Sequence, residues 1–144
     1  MAARAQRHEP QAEGFLRERG LRPTRQRIAV LAELMDERDD VTAQELHERF
    51  RARGEPLGLA TVYRTLGVLA EAGAIDALSH HPAELCYRWC GGEHHHHLVC
   101  SGCHRVVELG ECGLDEWLER ASAAHGFVAT GHRLEVAGLC AACR

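Results

Sequence analysis

The chain has 144 residues, 45% of them hydrophobic, which is enough to form one compact domain or two small ones around a real core. The net charge of −4 does not by itself indicate nucleic-acid binding, but residues 1–27 carry seven Arg against three Glu, whereas residues 81–144 carry five Arg against eight acids, so the two halves should have different partners. No segment has the length and apolarity of a membrane span, and the N-terminus lacks the apolar core of a signal peptide, so we expect a cytoplasmic protein without a membrane partner.

The first half of the sequence predicts helices. Residues 10–20 form a short amphipathic pattern that ends at Gly20, and residues 23–37 continue with Thr24 in the position of an N-cap. In the second of these helices three apolar residues are spaced for a buried stripe: Ile28, Leu31 and Met35.

The segment VTAQELHERF gives the clearest helix start. Thr42 and Glu45 have the spacing of a capping box, in which each side chain accepts a hydrogen bond from the other residue's backbone N–H. Val41 precedes the cap and can pack against Leu46 as a hydrophobic staple.

The next helix, residues 57–73, has two contrasting faces. One face is apolar and should be buried: Val62, Leu66 and Leu69. The opposite face is small, then aromatic, then cationic: Ala60, Tyr63, Arg64 and Gly67. Three helices joined by short turns, the last with such a face, predict a helix-turn-helix.

The remainder predicts strands around one further helix. Residues 74–78 and 85–90 should form a hairpin around a turn at residues 79–84, which would be the wing of a winged helix, and residues 91–93 are a natural hinge. Beyond the hinge we expect strands at residues 94–100, 105–109 and 127–138. A helix at residues 114–126 should stop at Gly126 and turn four residues inward: Leu114, Trp117, Leu118 and Ala121.

These elements predict an α+β fold with two domains. Residues 1–90 should form an N-terminal winged helix-turn-helix DNA-binding domain, residues 91–93 the hinge, and residues 94–144 a small α/β dimerisation and metal-binding domain.

Seven cysteines in a reducing compartment favour metal ligation or redox sensing over a disulfide framework. Two Cys-x-x-Cys pairs supply the four thiolates that a tetrahedral structural zinc requires: Cys100, Cys103, Cys140 and Cys143. The alternatives are buried free thiols or a thioredoxin-like pair, and the latter leaves the second pair unexplained.

Four consecutive histidines precede the first of these pairs. Side chains alternate between the faces of a strand, so His94 and His96 should point one way, and His95 and His97 the other. The run then provides half of a metal site on each face, unless it is merely a solvated polar segment. Several residues could complete the two sets: Asp76, Cys86, Cys90, Asp115, His125 and His132. Cys86 and Cys90 compete for one role, with Cys90 better placed beside the hinge and Cys86 better explained as a buried thiol, while Cys112 is expected to be a spectator.

The motifs TRQR, TAQELHERF, GLATVYRTL, HHHHLVCSGC and CAAC, in this order and spacing, resemble those of the ferric uptake regulator family, over nearly the whole chain from about Leu21. Members of that family are homodimeric, metal-dependent repressors that bind operator DNA. The resemblance implies a structural zinc at the four cysteines. It implies a regulatory site formed by Asp76, Cys90, His95 and His97. It implies an additional site formed by His94, His96, Asp115 and His132.

The chain most resembles the zinc uptake regulator branch of the family. His96 stands where many members have an acidic residue, and Cys90 offers a thiol, so the ligands suit zinc better than ferrous iron. Asp115 departs from the usual Glu. We therefore expect a zinc-responsive repressor of zinc uptake and homeostasis genes with two or three zinc ions per subunit.

The expected DNA contacts lie on and before the outer helix face. Tyr63 should contact a base and Arg64 a base or phosphate, alongside Ala60 and Thr61, and three arginines should hold phosphates: Arg22, Arg25 and Arg27.

Three other interpretations remain open. The first is an iron- or peroxide-sensing regulator of the same fold, and the second is a zinc-storage or chaperone protein, which would not need the outer helix face. The third is a metalloenzyme, but no nucleophile–base pair is evident, so we expect neither catalysis nor a small-molecule substrate.

Overall fold

The computed structural model describes residues 2–37, 39–79, 84–91, 94–110 and 112–144, with side chains from Arg7 onward. The chain divides into two compact units, Met1–Glu93 and His94–Arg144. The described residues include no helix long and apolar enough to cross a membrane.

The described residues of the first unit form four helices and three short strands. The helices are α1 (Ala2–Glu18), α2 (Arg25–Asp36), α3 (Ala43–Ala52) and α4 (Leu59–Glu71). The strands are β1 (Val41–Thr42), β2 (Asp76–Leu78) and β3 (Cys86–Arg88), which pair antiparallel in the order β1-β3-β2. Helix α1 begins well before the predicted residue 10 and contains Pro10.

The predicted helix caps are confirmed. Thr24 caps α2, because its side-chain Oγ1 accepts a hydrogen bond from the backbone N–H of Arg27 at 3.3 Å. Thr42 and Glu45 form both hydrogen bonds of the capping box at the start of α3. Val41 and Leu46 are both buried, as a hydrophobic staple requires.

The two faces of α4 are also confirmed. Val62, Leu66 and Leu69 are fully buried in the core of this unit, whereas the opposite face is exposed. The stripe predicted for α2 is only partly right, because Ile28 is half-buried while Val30 and Leu34 are buried beside the expected residues. Burial of one face of α4 therefore leaves the other face of the helix free.

A buried ion pair joins α2 to the end of α3. Glu33 is 3% exposed, and Arg53 donates a hydrogen bond from Nη1 to its Oε1 at 3.1 Å. Burial alone would lower the pKa of Arg53, but its hydrogen bonds with Glu33 and Glu55 raise that pKa overall. The ion pair links α2 to the end of α3 and so fixes the packing of the helices that support α4.

Strands β2 and β3 form the predicted hairpin, with Asp76 opposite Arg88. Strand β1, which the sequence did not predict, completes the sheet against β3. The four residues at the tip of the expected turn, 80–83, and residues 92–93 of the expected hinge lie outside the described residues.

In the second unit, the part of the chain that the structure describes forms a three-stranded sheet and one helix. Its strands are β4 (His96–Cys100), β5 (Val106–Leu109) and β6 (Glu135–Gly138), and its helix is α5 (Asp115–Ala124). Strand β4 is central, antiparallel to β5 and parallel to β6. The strand predicted from residue 127 begins only at Glu135. The α+β fold class is confirmed, with four of the described helices in the first unit and one in the second.

One face of this sheet carries an apolar row. Leu98 on β4 stands opposite Val107 on β5 and Val136 on β6, and each is about 40% exposed. Helix α5 has no buried residue, and Trp117 is 58% exposed. The prediction that Trp117 points inward is therefore wrong for a single copy of the chain. The unit thus leaves apolar surface uncovered on its sheet and its helix.

Candidate metal centres and nucleic-acid interface

The two Cys-x-x-Cys pairs meet at one end of the second unit. The Sγ atoms of Cys100, Cys103, Cys140 and Cys143 all lie within 4.8 Å of one another. The first pair begins at the last residue of β4, and the parallel strand β6 ends two residues before the second pair. Parallel pairing of β4 and β6 therefore brings the pairs together across the intervening chain.

The spacing of these thiols suits zinc. Ligands at about 2.3 Å from a tetrahedral zinc are separated by about 3.8 Å. The Sγ atoms of Cys103 and Cys140 are 3.7 Å apart. The backbone N–H of Cys140 also donates to the Sγ of Cys100 at 3.3 Å, as backbone amides do around thiolate ligands.

Hydrogen bonds shift the pKa values of two of these thiols in opposite directions. N–H groups of Cys140, Cys103 and Gly102 lower the pKa of Cys100 to about 6 despite its burial. Hydrogen bonding with the other thiols, first Cys140 and then Cys103 and Cys100, raises the pKa of Cys143 to about 12. The backbone N–H groups thus favour the thiolate form of Cys100, the form in which cysteine binds metals.

Gly102 allows the two pairs to approach. A Cβ at this position would lie 2.9 Å from the Cβ of Cys143 and 3.1 Å from its Sγ. A side chain cannot be accommodated there without separating the pairs.

The four histidines alternate as predicted. The rings of His95 and His97 have centroids 4.9 Å apart, and those of His94 and His96 are 4.6 Å apart on the other side. His132, in the segment before β6, packs against the second pair, 4.7 Å from His94 and 4.9 Å from His96.

The fourth member of this second cluster is Cys112, not Asp115. Ligand atoms of His94, His96, Cys112 and His132 all lie within 4.8 Å of one another. Asp115 is not in this group; it is the exposed first residue of α5, where its carboxylate complements the helix dipole. Cys112, which was expected to be a spectator, thus lies within the histidine cluster. The only signal in the sequence was a thiol three residues before the expected carboxylate.

His96 is the most buried residue of this histidine cluster, with 1% of its surface exposed. Loss of solvent first, and then the neighbouring histidines, lower the pKa of this imidazole. His96 is thus held neutral, the form in which imidazole binds metals.

The remaining predicted ligands, Asp76 and Cys90, both lie in the first unit. Asp76 begins β2, and Cys90 follows the end of β3 by two residues. Because Asp76 pairs with Arg88, both residues lie at the same end of the β1-β3-β2 sheet, which we call the wing sheet. Cys86 is 5% exposed, and burial, then a hydrogen bond with Asp40, raises its pKa to about 12. The prediction that Cys86 is a buried thiol is confirmed, which leaves Cys90 as the available hinge thiol.

The exposed face of α4 borders a groove in the first unit. Ala60, Tyr63 and Arg64 are exposed, and Tyr63 is 44% accessible. The groove is lined by Thr24, Gln26, Arg27, Thr61 and Arg64. Arg22 and Arg25 are exposed nearby in sequence, and Arg27 donates from Nη1 to the carbonyl of Arg22 at 2.9 Å. Cationic groups thus flank the face that can enter a DNA groove.

The profile of the ferric uptake regulator family matches residues 18–137, and the chain belongs to this family. Among individual proteins, the chain is 44% identical to the zinc uptake regulation protein of Mycobacterium tuberculosis, over 87% of this chain and 96% of that one. It is 32% identical to the peroxide operon regulator of Bacillus subtilis, over 89% of this chain and 88% of that one. A solved structure of a zinc uptake regulator complexed with zinc and DNA superposes with a TM-score of 0.76 at 26% identity, covering 96% of this chain and 93% of that chain. The resemblance predicted from the motifs is confirmed.

Proposed function

We propose that this protein is a zinc-responsive transcriptional repressor that binds palindromic operator DNA as a zinc-loaded homodimer and controls genes of zinc uptake and homeostasis. The observation that carries the proposal is that one chain presents a free helix face beside cationic side chains in one unit and gathers thiols and imidazoles in the other. The relative at 44% identity is a zinc uptake regulation protein, which supports zinc as the sensed metal. The function is regulation by binding and not catalysis.

DNA recognition is assigned to the exposed face of α4 and the arginines before it. Tyr63 is the base-contacting residue and Arg64 contacts a base or phosphate, with Ala60 and Thr61 allowing close approach. Arg22, Arg25 and Arg27 hold phosphates and set the position of the helix. The solved relative with zinc and DNA supports this assignment through its similar fold.

Homodimerisation is assigned to the second unit. The apolar row of Leu98, Val107 and Val136 has no covering element in the described part of the second unit, and Trp117 adds an exposed aromatic surface. A second copy of the chain would bury these side chains, and a two-fold dimer would present two copies of α4 to successive major grooves.

Two or three zinc ions per subunit follow from the donor sets. Zinc, when bound, fixes four ligands in a tetrahedral arrangement. Cys100, Cys103, Cys140 and Cys143 form the structural set, which ties β4 to the segment after β6. The cluster around His96 is the additional set, for which the resemblance had implied Asp115.

The regulatory set is Asp76, Cys90, His95 and His97. Each unit by itself supports half of it: the wing sheet brings Asp76 and Cys90 to one end, and the strand alternation pairs His95 with His97. Joining these halves would restrict the angle between the DNA-binding units, and only some angles allow both copies of α4 to engage a palindrome. Zinc would thereby shift the population toward the DNA-binding form.

The alternative is an iron- or peroxide-sensing regulator, which is supported by the similarity to the peroxide operon regulator of Bacillus subtilis. The chain's thiol ligands favour zinc, because ferrous iron is better served by carboxylate-rich sets. Metal-catalysed oxidation of a histidine in iron-loaded protein, detected by mass spectrometry, would support the alternative.

A gel-shift titration of free zinc against genomic fragments tests the proposal. We expect specific binding to appear with zinc and to disappear with a chelator. Chelated protein that binds its operator as tightly as zinc-loaded protein would refute the zinc-responsive function.

Three variants then separate the metal sets by zinc stoichiometry, dimer mass and operator affinity. Cys100→Ser should lose structural zinc and dimerisation, since binding energy at a structural site is folding energy. His95→Ala should remain a folded dimer that does not reach the operator, and His96→Ala should shift the zinc dependence without abolishing binding. Identical behaviour of His95→Ala and His96→Ala would contradict two separate sets.

A further inference from the structure

A thiol lies in the histidine cluster where the family resemblance calls for a carboxylate. Cys112 belongs to the segment between β5 and α5, and His132 to the segment between α5 and β6, while His94 and His96 come from the histidine run. Three parts of the chain, far apart in sequence, thus converge on one point of the second unit.

We propose that Cys112 is a metal ligand and that His94, His96, Cys112 and His132 bind one zinc ion as a three-histidine, one-thiolate site. The inference rests on zinc as the metal proposed above, but not on any role of that zinc in DNA binding. Asp115 is outside the coordination sphere.

The separations within the cluster approach those of a tetrahedral site. Imidazole nitrogens at about 2.05 Å from zinc are about 3.3 Å apart. The Nε2 atoms of His132 and His96 are 3.2 Å apart. The Sγ of Cys112 lies 3.0 Å from the Nε2 of His132, a hydrogen-bond distance that would widen to about 3.6 Å around zinc. A shift of about half an ångström is within reach of a side-chain rotation.

The hydrogen bonding of the cluster also points to a ligand. His96 is almost fully buried, yet its Nδ1 has no hydrogen-bond partner among the described residues, and its Nε2 faces another imidazole. Two neutral imidazoles that face each other through Nε2 can share only one hydrogen bond, whereas one metal ion can bind both nitrogens. The backbone N–H of Leu114 donates to the Sγ of Cys112 at 3.3 Å, which orients this sulfur within the cluster.

The thiolate changes which metals the site prefers. Thiolate and imidazole together favour zinc and its analogue cobalt(II), whereas manganese and magnesium prefer carboxylate and other oxygen ligands. A metal there would also fasten the segment between α5 and β6, which has no regular structure, to the central strand. Cys112 therefore makes this set more selective for zinc than the carboxylate site implied by the resemblance.

Cobalt(II) substitution tests the assignment, because each cobalt–thiolate bond gives a near-ultraviolet charge-transfer absorption that a carboxylate does not. The full-length dimer is used with its structural zinc retained, as verified by elemental analysis. Cys90→Ser serves as background, so that the proposed hinge thiol contributes nothing. Cobalt is then added to this variant alone and combined with Cys112→Ser, Cys112→Asp or Asp115→Asn.

The Cys90→Ser protein should show a charge-transfer band that Cys112→Ser and Cys112→Asp both abolish. Cys112→Asp should still bind the cobalt, because a carboxylate can occupy the fourth position, and Asp115→Asn should keep the band. A band that survives the loss of Cys112, or that disappears in Asp115→Asn, would overturn the inference. The zinc dependence of DNA binding is measured in a separate assay, so failure of this inference can be distinguished from failure of the proposed function.

Discussion

Substitutions on the opposite faces of α4 should separate stability from recognition. Leu66→Ala removes three carbon groups from a fully buried side chain, which corresponds to about 2.4 kcal/mol of transfer free energy. The residual cavity adds to this, so we expect a loss of about 2–5 kcal/mol in the free energy of unfolding of the first unit. A loss of about 3 kcal/mol would lower its Tm by about 12–24 °C. Tyr63→Ala, at a position 44% exposed, should change stability by less than about 0.5 kcal/mol.

Tyr63→Ala should instead weaken operator binding. A lost base contact is worth about 1–3 kcal/mol, or roughly a 5- to 150-fold increase in Kd for each of the two copies in the dimer, with little change on non-specific DNA. Fluorescence anisotropy with operator and scrambled duplexes measures this difference.

Urea denaturation measures the stability of the same variants. In a Trp117→Phe background the remaining tryptophan is Trp89, which packs edge-on against Phe15 at 6.2 Å and reports on the first unit. Equal destabilisation by Tyr63→Ala and Leu66→Ala, or unchanged operator affinity in a stable Tyr63→Ala protein, would refute the assignment of the two faces.

Three further predictions concern other parts of the chain. Gly102→Ala should lower the structural zinc content and the fraction of dimer, because its Cβ would lie 2.9 Å from that of Cys143. A normal zinc content would show that the two Cys-x-x-Cys pairs can move apart without losing the metal. The raised pKa of Cys86 means that the folded protein keeps a proton that the unfolded protein loses above about pH 9, so stability should fall as pH rises from 9 to about 12, and less steeply in Cys86→Ala. Arg27→Gln should reduce the slope of log K against log salt by about 1.8, which is about 0.9 for each copy in the dimer, while preserving operator preference; an unchanged slope would exclude a phosphate contact.

Features that depend on neighbouring residues in the sequence were predictable. The capping box of Thr42 and Glu45 needs only a three-residue spacing, and the two faces of α4 need only helical periodicity. The alternation of the histidine run likewise follows from extended backbone geometry, and the structure has it as predicted, although β4 begins at His96 and not at residue 94.

Features that depend on distant partners were not predictable. Two residues, Val41 and Thr42, form a strand only because β3 lies beside them. The alternating pattern from residue 127 forms a strand only where β4 provides hydrogen-bond partners, from Glu135 onward. The inward stripe of α5 failed at Trp117, because one copy of the second unit has too little surface to bury it.

The choice between Cys112 and Asp115 shows the same limit within a metal site. The two residues are three positions apart, and both are chemically suitable as ligands. Only the path of the chain before α5 decides which side chain approaches His132, and neither hydropathy nor spacing encodes that path.

The parallel pairing of β4 with β6 also determines when each unit can fold during synthesis. Helices α1 to α4 and the wing hairpin lie entirely before residue 94, so the first unit can acquire its core while the rest of the chain is being translated. The four-thiol cluster, in contrast, needs Cys140 and Cys143 beside Cys100 and Cys103, and cannot form until the ribosome has released the second pair. A translation product that stops before residue 140 would therefore carry a folded DNA-reading unit without a completed structural centre. Under the function proposed above, a single unit would span only half of a palindrome, so we expect such a product to compete poorly for the operator.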